Sequence, residues 1–374
     1  MIKKIPPAGN PPPINLLLRS FFAGESVEIE LIAHYLGCKN MVFFPSGRMA
    51  LFAILQAFKK LYSSKRKIIL PAYTCPVIVE TILKAGLEPL PCELEKDSLF
   101  MEKSEVEKLY DKNTLCIIAV HLFGYPHPVW KEFRVIEDAA QALGSETTTG
   151  KIGTLGEASF FSLGKGKNLT TDKGGIVITK NEDLFKEIRK LSPKIPISPI
   201  PSFLKLLIFR MVLTRWGWKI LDLLNLPKEE SSSFQVENYN LSSFHLKLLE
   251  VQLPNYEKLK AEKLKKAKII MNCLSQTPYI KTFPISPNTF PSLPRLPFLV
   301  KEGKRKRIKS LFHKRGWEVT TMYKKTLPEI YPFLPPPNNF PNALSLSREL
   351  LTLPLTGYFL KEFFEDWEWI KKQL

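Results

Sequence analysis

The chain has 374 residues, of which 44% are hydrophobic and 24% charged, and its formal net charge at pH 7 is +18. This composition excludes a disordered chain and predicts a globular protein with one large domain and a smaller one. The positive charge predicts attraction to anions, whether nucleic acid, anionic lipid or phosphorylated metabolites. Basic residues are spread along the chain without an interleaved stacking motif, so we expect no nucleic-acid partner.

Neither a disulfide framework nor a metal centre is indicated. The five cysteines are odd in number and widely spaced, without a Cys-x-x-Cys pair, and the five histidines show no metal-ligand spacing. We therefore expect no metal and a reducing, cytoplasmic location. Residues 1–23 are broken by prolines and are interpreted as an extended N-terminal arm. No uncharged stretch reaches the roughly 20 residues that a membrane-spanning helix needs.

Residues 24–190 alternate helical and strand patterns. GESVEIELIAHYLG predicts a helix that ends at Gly37, MVFFP a short strand, and GRMALFAILQAFKKLY an amphipathic helix. Apolar, β-branched or aromatic runs punctuated by Gly and Pro predict further strands at RKIILPAY, LEPLPCEL, TLCIIAVHLFG, EFRVIED, ASFFSL and GGIVITK. Alternating strands and helices predict a large α/β domain with a mostly parallel sheet between helices.

Two further regions follow. Residues 191–235 are predicted to be a proline-flanked helical insertion, rich in apolar and basic residues. Within it, residues 203–226 are expected to pack on a dimer or cover the active site; contact with a membrane surface is the alternative, because Trp216, Trp218 and several cations accompany a broad apolar face. Residues 236–374 begin with long charged helices and continue with short strand-like segments, which predicts a smaller C-terminal α+β domain.

Two predicted strand ends carry residues suited to chemistry. Ser46 and Gly47 lie between a strand and a helix, where free backbone N–H groups can bind a phosphate, unless Ser46 simply caps the helix. Glu137 and Asp138 end another strand, at the edge where open α/β sheets bind ligands. A buried carboxylate there needs a cationic partner, although helix capping is an equal alternative for Asp138.

The stretch FSLGKGKNLTTDKGG holds Lys165 and Lys167 on either side of one glycine, after Ser162. A lysine becomes nucleophilic when desolvation or nearby cations lower its pKa, since the neutral amine is the reactive form. Most lysines are solvated surface charges, so the pair alone does not indicate catalysis. Lys165 could lower the pKa of its neighbour or bind phosphate. HLFG, which begins at His121, indicates by itself only that a strand ends.

In this order, the segments resemble the DegT/StrS family of sugar aminotransferases, which use pyridoxal 5′-phosphate (PLP) and have the aspartate-aminotransferase fold, fold type I. The run EDAAQ, followed by FS, K-N and T-T-x-x-G-G, is highly specific. The resemblance is dense to about residue 190 and looser in the C-terminal region. The matching segments are GESVEIELIAHYLG, SGRMAL, LPAYTCPVIVETILKAGLEPLP, VHLFGYP, VIEDAAQALGS, GKIGTLGEASFFSLGKGKNLTTDKGGIVIT and FPNALSLSRELLTLPL.

The resemblance implies a role for each of several residues. Lys167 would be the Schiff-base lysine and the acid/base, Asp138 would face the pyridine nitrogen, and Gln141 would lie near the ring hydroxyl. Lys165 would supply positive potential beside them. The residues implied to hold the cofactor phosphate are Gly47, Arg48, Ser162 and, from the second subunit of a homodimer with shared active sites, Asn238.

The implied activity is transfer of an amino group from an amino acid, with glutamate as the expected donor, to a keto-sugar. We expect a nucleotide-linked sugar of cell-envelope or polysaccharide biosynthesis, since such an anion suits the positive chain. A non-catalytic or regulatory ligand-binding protein of the same fold is the alternative. Relatives that carry histidine in place of the lysine act as dehydratases, which Lys167 disfavours.

Departures from the family pattern concern the substrate and the cofactor ring. Arg48 stands where threonine is usual, and Asn240 where a basic residue is common. Cys75 occupies the place of an aromatic residue that covers the ring, so stacking is either lost or supplied by Tyr73. The insertion at 191–235 has no counterpart. The sequence does not identify the sugar, the carbon that is aminated or its stereochemistry.

Overall fold

The computed structural model describes residues 5, 9–22, 26–214, 217, 235–301 and 303–374. Its strands are β1 (Met41–Phe44), β2 (Lys67–Pro71), β3 (Glu88–Cys92), β4 (Thr114–Val120), β5 (Val135–Asp138), β6 (Glu146–Thr147), β7 (Gly150–Lys151), β8 (Ala158–Ser162), β9 (Gly175–Thr179), β10 (Ile280–Thr282), β11 (Thr289–Phe290), β12 (Leu296–Val300) and β13 (Leu350–Leu353). The α-helices in the described ranges are α1 (Ile14–Phe22), α2 (Ile29–Leu36), α3 (Gly47–Leu61), α4 (Pro76–Lys84), α5 (Lys103–Leu109), α6 (Glu182–Lys190), α7 (Pro199–Val212), α8 (Ser243–Leu274), α9 (Arg305–Lys314), α10 (Leu327–Ile330), α11 (Pro341–Glu349) and α12 (Leu360–Lys371).

The main sheet has seven strands in the order β1-β9-β8-β5-β4-β2-β3. Strand β9 is antiparallel to both of its neighbours, and the remaining pairs are parallel. Every residue of β4 is buried, as expected for a central strand with both faces covered by helices. The predicted fold class, a mostly parallel sheet between helices, is confirmed.

The strands and helices predicted between residues 24 and 190 are present. The apolar runs from MVFFP to GGIVITK each contain one strand of the main sheet. Helix α2 ends at Gly37, whose φ of 76° lies in the left-handed region that glycine adopts without steric cost. Helix α3 begins at Gly47 and buries its apolar face against the sheet.

The C-terminal region adds a three-stranded antiparallel sheet, β10-β12-β13. It is preceded by the long helix α8, whose Leu249, Leu253 and Tyr256 pack with Phe161 and Ile176 of the main sheet. A third small sheet, β11-β6-β7, joins the two parts of the chain. The domain limits at 24–190 and 236–374 remain a prediction, and α8 connects both regions.

The predicted insertion at 191–235 contains α7, which covers part of the segment expected to be helical. Residues 215–216 and 218–234, including Trp216 and Trp218, lie outside the described residues. Within the described ranges, no helix combines the length and apolar character needed to cross a membrane.

Sheet geometry brings several strand ends to one edge. Strands β2, β4, β5 and β8 are parallel, so their carboxyl ends lie on the same side. Strand β1 is antiparallel to β9, which is antiparallel to β8, so the carboxyl end of β1 is on that side too. Ligand sites of open α/β sheets occur at this edge.

Candidate active site

A cavity of about 680 Å³ opens at the carboxyl edge of the main sheet. Its wall contains Thr74 and Cys75 after β2, and His121 after β4. All the residues assigned to the site from the sequence line it: Gly47, Arg48, Asp138, Gln141, Ser162, Lys167 and Asn238. The structure therefore brings together residues that are up to 191 positions apart, while the role of each remains a prediction.

The N-terminus of α3 forms one end of the cavity. Ser46 caps the helix by accepting a hydrogen bond from Met49 N–H (3.3 Å). A Cβ atom on Gly47 would lie 2.9 Å from the Cβ of Ser162, so only glycine lets α3 approach β8 this closely. The first turn of a helix has free N–H groups and a positive dipole end, which is a suitable arrangement for an anion.

Asp138 and Lys167 face the same cavity. The Oδ1 atom of Asp138 accepts a hydrogen bond from Ala140 N–H (3.0 Å), and among the described residues this is the only hydrogen bond to its carboxylate. Burial raises the pKa of Asp138, and the Ala140 N–H and the charge of Lys167 act against that shift. The carboxylate thus has room in the cavity for a further cationic partner.

Glu137, one position earlier, is fully buried on the other face of β5. Its carboxylate accepts hydrogen bonds from the backbone N–H groups of Gly153 (2.8 Å), Leu155 (2.8 Å) and Gly156 (2.7 Å). His121 Nε2 lies 3.1 Å from Oε2. Burial alone would raise the pKa of Glu137, but His121 and these N–H groups hold it below its ordinary value.

The backbone fixes the tautomer of His121. Its Nδ1 atom accepts a hydrogen bond from His127 N–H (2.9 Å), so the ring proton lies on Nε2 and is donated to Glu137. His127 is itself enclosed: its Nε2 accepts from Met101 N–H (3.0 Å), and burial lowers the pKa of His127 to about 3. A neutral His121 therefore lines the cavity and connects it to the buried Glu137 carboxylate. From the sequence, His121 was expected only to follow a strand, and Glu137 was expected at the ligand-binding edge of the sheet without a role of its own.

Phe160, Tyr239 and Tyr323 are aromatic residues of the cavity wall, whereas Tyr73 does not line it. Tyr73 is 1% exposed, and its hydroxyl donates to the Tyr323 carbonyl oxygen (3.1 Å). The Tyr323 hydroxyl accepts from Gln141 Nε2 (3.4 Å), and Gln141 Oε1 accepts from Phe123 N–H (3.1 Å). Tyr323 thus replaces Tyr73 as the candidate for an aromatic contact near the cofactor.

Cys75 lines the cavity beside Tyr323 and Lys167. Burial raises the pKa of its thiol, although the positive charge of Lys167 acts in the opposite direction. Since the thiolate is the nucleophilic form, this thiol is poorly suited to nucleophilic attack.

Lys165 has a different environment from Lys167. Its Nζ atom lies 3.5 Å from Oδ1 of Asp172, whose side chain is 4% exposed. Lys165 lies outside the cavity wall. The carboxylate of Asp172 therefore partly neutralises the charge of Lys165. This weakens the expectation that Lys165 adds positive potential at the site.

Residues 235–239 form another side of the cavity and include a carboxylate that sequence analysis missed. Ser46 Oγ donates to Glu237 Oε2 (2.7 Å), and Tyr239 OH donates to Glu237 Oε1 (2.5 Å). Lys173 Nζ in turn donates to Tyr239 OH (2.6 Å). Asn238 lies in this segment of the same chain, and its contact with the cavity of a second subunit remains a prediction.

No group of three or more His, Cys, Asp or Glu side chains arranged to hold a metal ion occurs among the residues that the structure describes.

Comparison with known proteins identifies the family. A sequence model of the DegT/DnrJ/EryC1/StrS aminotransferase family matches residues 25–365. The chain belongs to this family. The resemblance seen in the motifs is thereby confirmed over nearly the whole chain. Enzymes of the DegT/DnrJ/EryC1/StrS family depend on PLP, which confirms the cofactor predicted from the sequence.

Relatives of this chain match over part of their length. An uncharacterised protein of Methanocaldococcus jannaschii is 32% identical over 170 residues, covering 43% of this chain and 44% of the relative. GDP-perosamine synthase of Vibrio cholerae is 27% identical over 167 residues, covering 42% and 45%. The aligned part of the chain thus spans less than half the length of these relatives.

Solved structures of the DegT/DnrJ/EryC1/StrS family share the fold over the whole chain. Helicobacter pylori PseC, an aminotransferase involved in the biosynthesis of pseudoaminic acid, superimposes with a TM-score of 0.74 at 19% identity and covers 99% of both chains. At this identity the similarity shows the fold alone.

The hydrogen bonds of Glu137 predict that Glu137→Gln is strongly destabilising. The amide would leave buried N–H donors without acceptors, so the free energy of unfolding should fall by about 3 kcal/mol. Urea denaturation measures the change. The matched control is Glu132→Gln, whose solvent-screened ion pair with Lys103 (2.6 Å) should contribute little to stability. Equal effects of the two substitutions would contradict the structural role given to Glu137.

Proposed function

We propose that this protein is a PLP-dependent aminotransferase that moves an amino group from glutamate to a keto-sugar carried on a nucleoside diphosphate. Family membership supports the reaction class. The name of the Vibrio cholerae relative, GDP-perosamine synthase, supports a nucleotide-linked amino sugar. Biosynthesis of cell-envelope or polysaccharide sugars is the process we propose for it, in the cytoplasm.

One observation carries the proposal: Lys167, Asp138 and the N-terminus of α3 face a single cavity. These three features match the three polar parts of PLP. The helix N-terminus suits the phosphate, the amine of Lys167 suits the aldehyde, and the carboxylate of Asp138 suits the ring nitrogen. Asp138 also has the buried, sparsely hydrogen-bonded carboxylate that a ring cation would complete.

The residues that would hold the phosphate are Gly47, Arg48 and Ser162. Gly47 contributes a backbone N–H in the first turn of α3, and Ser162 lies against it. Arg48 adds a guanidinium where the family commonly has threonine. We further propose a homodimer in which Asn238 of one subunit contacts the phosphate bound by the other.

When bound, PLP supplies an aldehyde that accepts the amino group and a ring that withdraws electrons from the reacting carbon. Lys167 would hold the cofactor through its amine, and the same amine, when free of the cofactor, would move a proton at the α-carbon of the amino donor. Asp138 would accept a hydrogen bond from the ring nitrogen and so keep that nitrogen protonated. The Glu137 and His121 side chains hold the end of β5, and therefore Asp138, in position. Gln141, fixed by Phe123 and Tyr323, lies beside the ring hydroxyl in this assignment.

The substrate assignment rests on charge and space. A nucleoside diphosphate is an anion, and a chain with a net charge of +18 attracts it. The cavity of about 680 Å³ is also large enough for a cofactor together with part of a sugar substrate.

Amino transfer should require Lys167 and tolerate loss of Lys165. With PLP-loaded protein, glutamate and a panel of nucleotide-linked keto-sugars, we expect 2-oxoglutarate release with at least one sugar. Lys167→Ala should lower this rate by about 100-fold or more, because general acid–base catalysis contributes on that scale. Lys165→Ala, two positions away and paired with Asp172, should keep most of the activity.

Two outcomes would reject this assignment. Equal losses in the two lysine variants would remove the special role of Lys167. Binding of PLP by the wild-type protein, without 2-oxoglutarate release from glutamate, would favour the ligand-binding alternative over an enzyme.

Glu237 predicts a second, independent effect on cofactor binding. Its carboxylate is hydrogen-bonded to Ser46 at the N-terminus of α3, where it would repel a phosphate. Glu237→Gln keeps an acceptor for Ser46 and removes the charge, so the affinity for PLP should rise about tenfold, or ~1.4 kcal/mol. Glu187→Gln, which removes the same charge from an exposed cluster with Lys60 and Lys190, is the control. Titration calorimetry measures both, and an unchanged or weaker affinity in Glu237→Gln would contradict the assigned phosphate site.

A further inference from the structure

Helices α1 and α7 pack against each other at the periphery of the protein. Leu17 of α1 and Leu206 of α7 are fully buried in one cluster with Phe244 and Leu248 of α8. The rings of Phe21 and Phe203 lie 4.4 Å apart. These contacts fix both helices on α8 through one face of each.

The outer faces of both helices are apolar. In α7, Ile200, Leu204, Ile208 and Met211 follow each other at helical spacing and are 55%, 51%, 60% and 70% exposed. In α1, the residues at the same spacing with exposed side chains are Ile14, Leu18 and Phe22. These seven side chains define what we call the α1/α7 surface. Scattered exposed apolar residues need no explanation, but a continuous patch marks an interaction site.

The two stretches of sequence that carry this surface contain no acidic residue. Residues 1–24 contain no Asp or Glu, and the basic residues there are Lys3, Lys4 and Arg19. Residues 188–221 also contain no Asp or Glu, and their basic residues are Arg189, Lys190, Lys194, Lys205, Arg210, Arg215 and Lys219. Of these, Arg19, Arg189, Lys190, Lys194, Lys205 and Arg210 are exposed in the described part of the chain. A large share of the net charge of +18 therefore comes from two short stretches of sequence.

We propose that the α1/α7 surface binds the surface of an anionic phospholipid bilayer. Exposed Leu, Ile, Met and Phe side chains would enter the boundary between headgroups and acyl chains, and the flanking Lys and Arg side chains would contact lipid phosphates. This extends the membrane contact considered for residues 203–226 to α1, which the sequence pattern alone did not join to it.

The charge favours lipid over a second copy of the chain. A two-fold symmetric contact places the same patch on both sides, so it would bring basic residues of one copy against those of the other. An anionic bilayer instead complements both the apolar stripe and the cations. The proposal does not depend on the reaction, because the α1/α7 side chains are not part of the cavity wall.

Vesicle sedimentation of the full-length, PLP-loaded protein tests the proposal. We expect binding to phosphatidylcholine vesicles that contain phosphatidylglycerol, little binding to pure phosphatidylcholine, and weaker binding at high salt. Leu204→Glu combined with Ile208→Glu should reduce binding at least tenfold, and Leu18→Glu should reduce it as well. Phe359→Glu changes a side chain that is 78% exposed in the C-terminal region, and it should bind as the wild type does.

Light scattering and the glutamate reaction complete the experiment. An unchanged oligomeric state and activity in the α7 double variant would show that the variant is folded and that only its vesicle binding is lost. The proposal is overturned by equal binding to neutral and anionic vesicles, by no binding, by an equal loss in Phe359→Glu, or by α7 variants that dissociate an oligomer while still binding vesicles.

Discussion

The site depends on two adjacent carboxylates that are buried at the end of β5 with unequal partners. Glu137 accepts three backbone hydrogen bonds and one from His121, so its charge is satisfied inside the protein. Asp138 accepts one from Ala140 and faces the cavity. Because an unpaired buried carboxylate costs several kcal/mol, the first residue can serve as an anchor, whereas the second requires a cation from outside the fold.

The parallel sheet places other polar groups beside the Asp138 carboxylate. Carboxyl ends of β1, β2, β4, β5 and β8 meet at one edge, and each delivers a different group: a helix N-terminus, a thiol, a neutral imidazole, a carboxylate and a serine. The close approach of Gly47 to Ser162 brings the first turn of α3, the proposed phosphate site, against β8. Lys167 lies in the loop after β8. Its side chain and that of Asp138, which comes from β5, line the same cavity. Strand ends and the start of α3 thus position most of these groups, whereas a loop positions Lys167.

Much of this could be predicted from the sequence. Continuous apolar runs identified the strands, Gly37 marked a helix end, and the family resemblance selected the residues that line the cavity. Contacts between distant segments could not be predicted. Glu237 bonds to Ser46 and Tyr323 to Gln141 across more than 180 positions, and neither contact leaves a local pattern. The same applies to His121, whose role depends on an N–H group of His127 that fixes its proton. The interpretation of residues 1–23 as an extended arm was wrong for α1 (Ile14–Phe22), which forms a helix and packs on α7.

The central claim is that one amine, that of Lys167, carries PLP opposite Asp138. Borohydride reduction of the PLP-loaded protein, followed by proteolysis and mass spectrometry of the peptides, locates the attachment directly. We predict a single modified peptide from the segment after β8, with the added mass on Lys167. Attachment to Lys165, to a lysine elsewhere in the chain, or to no residue would contradict the claim.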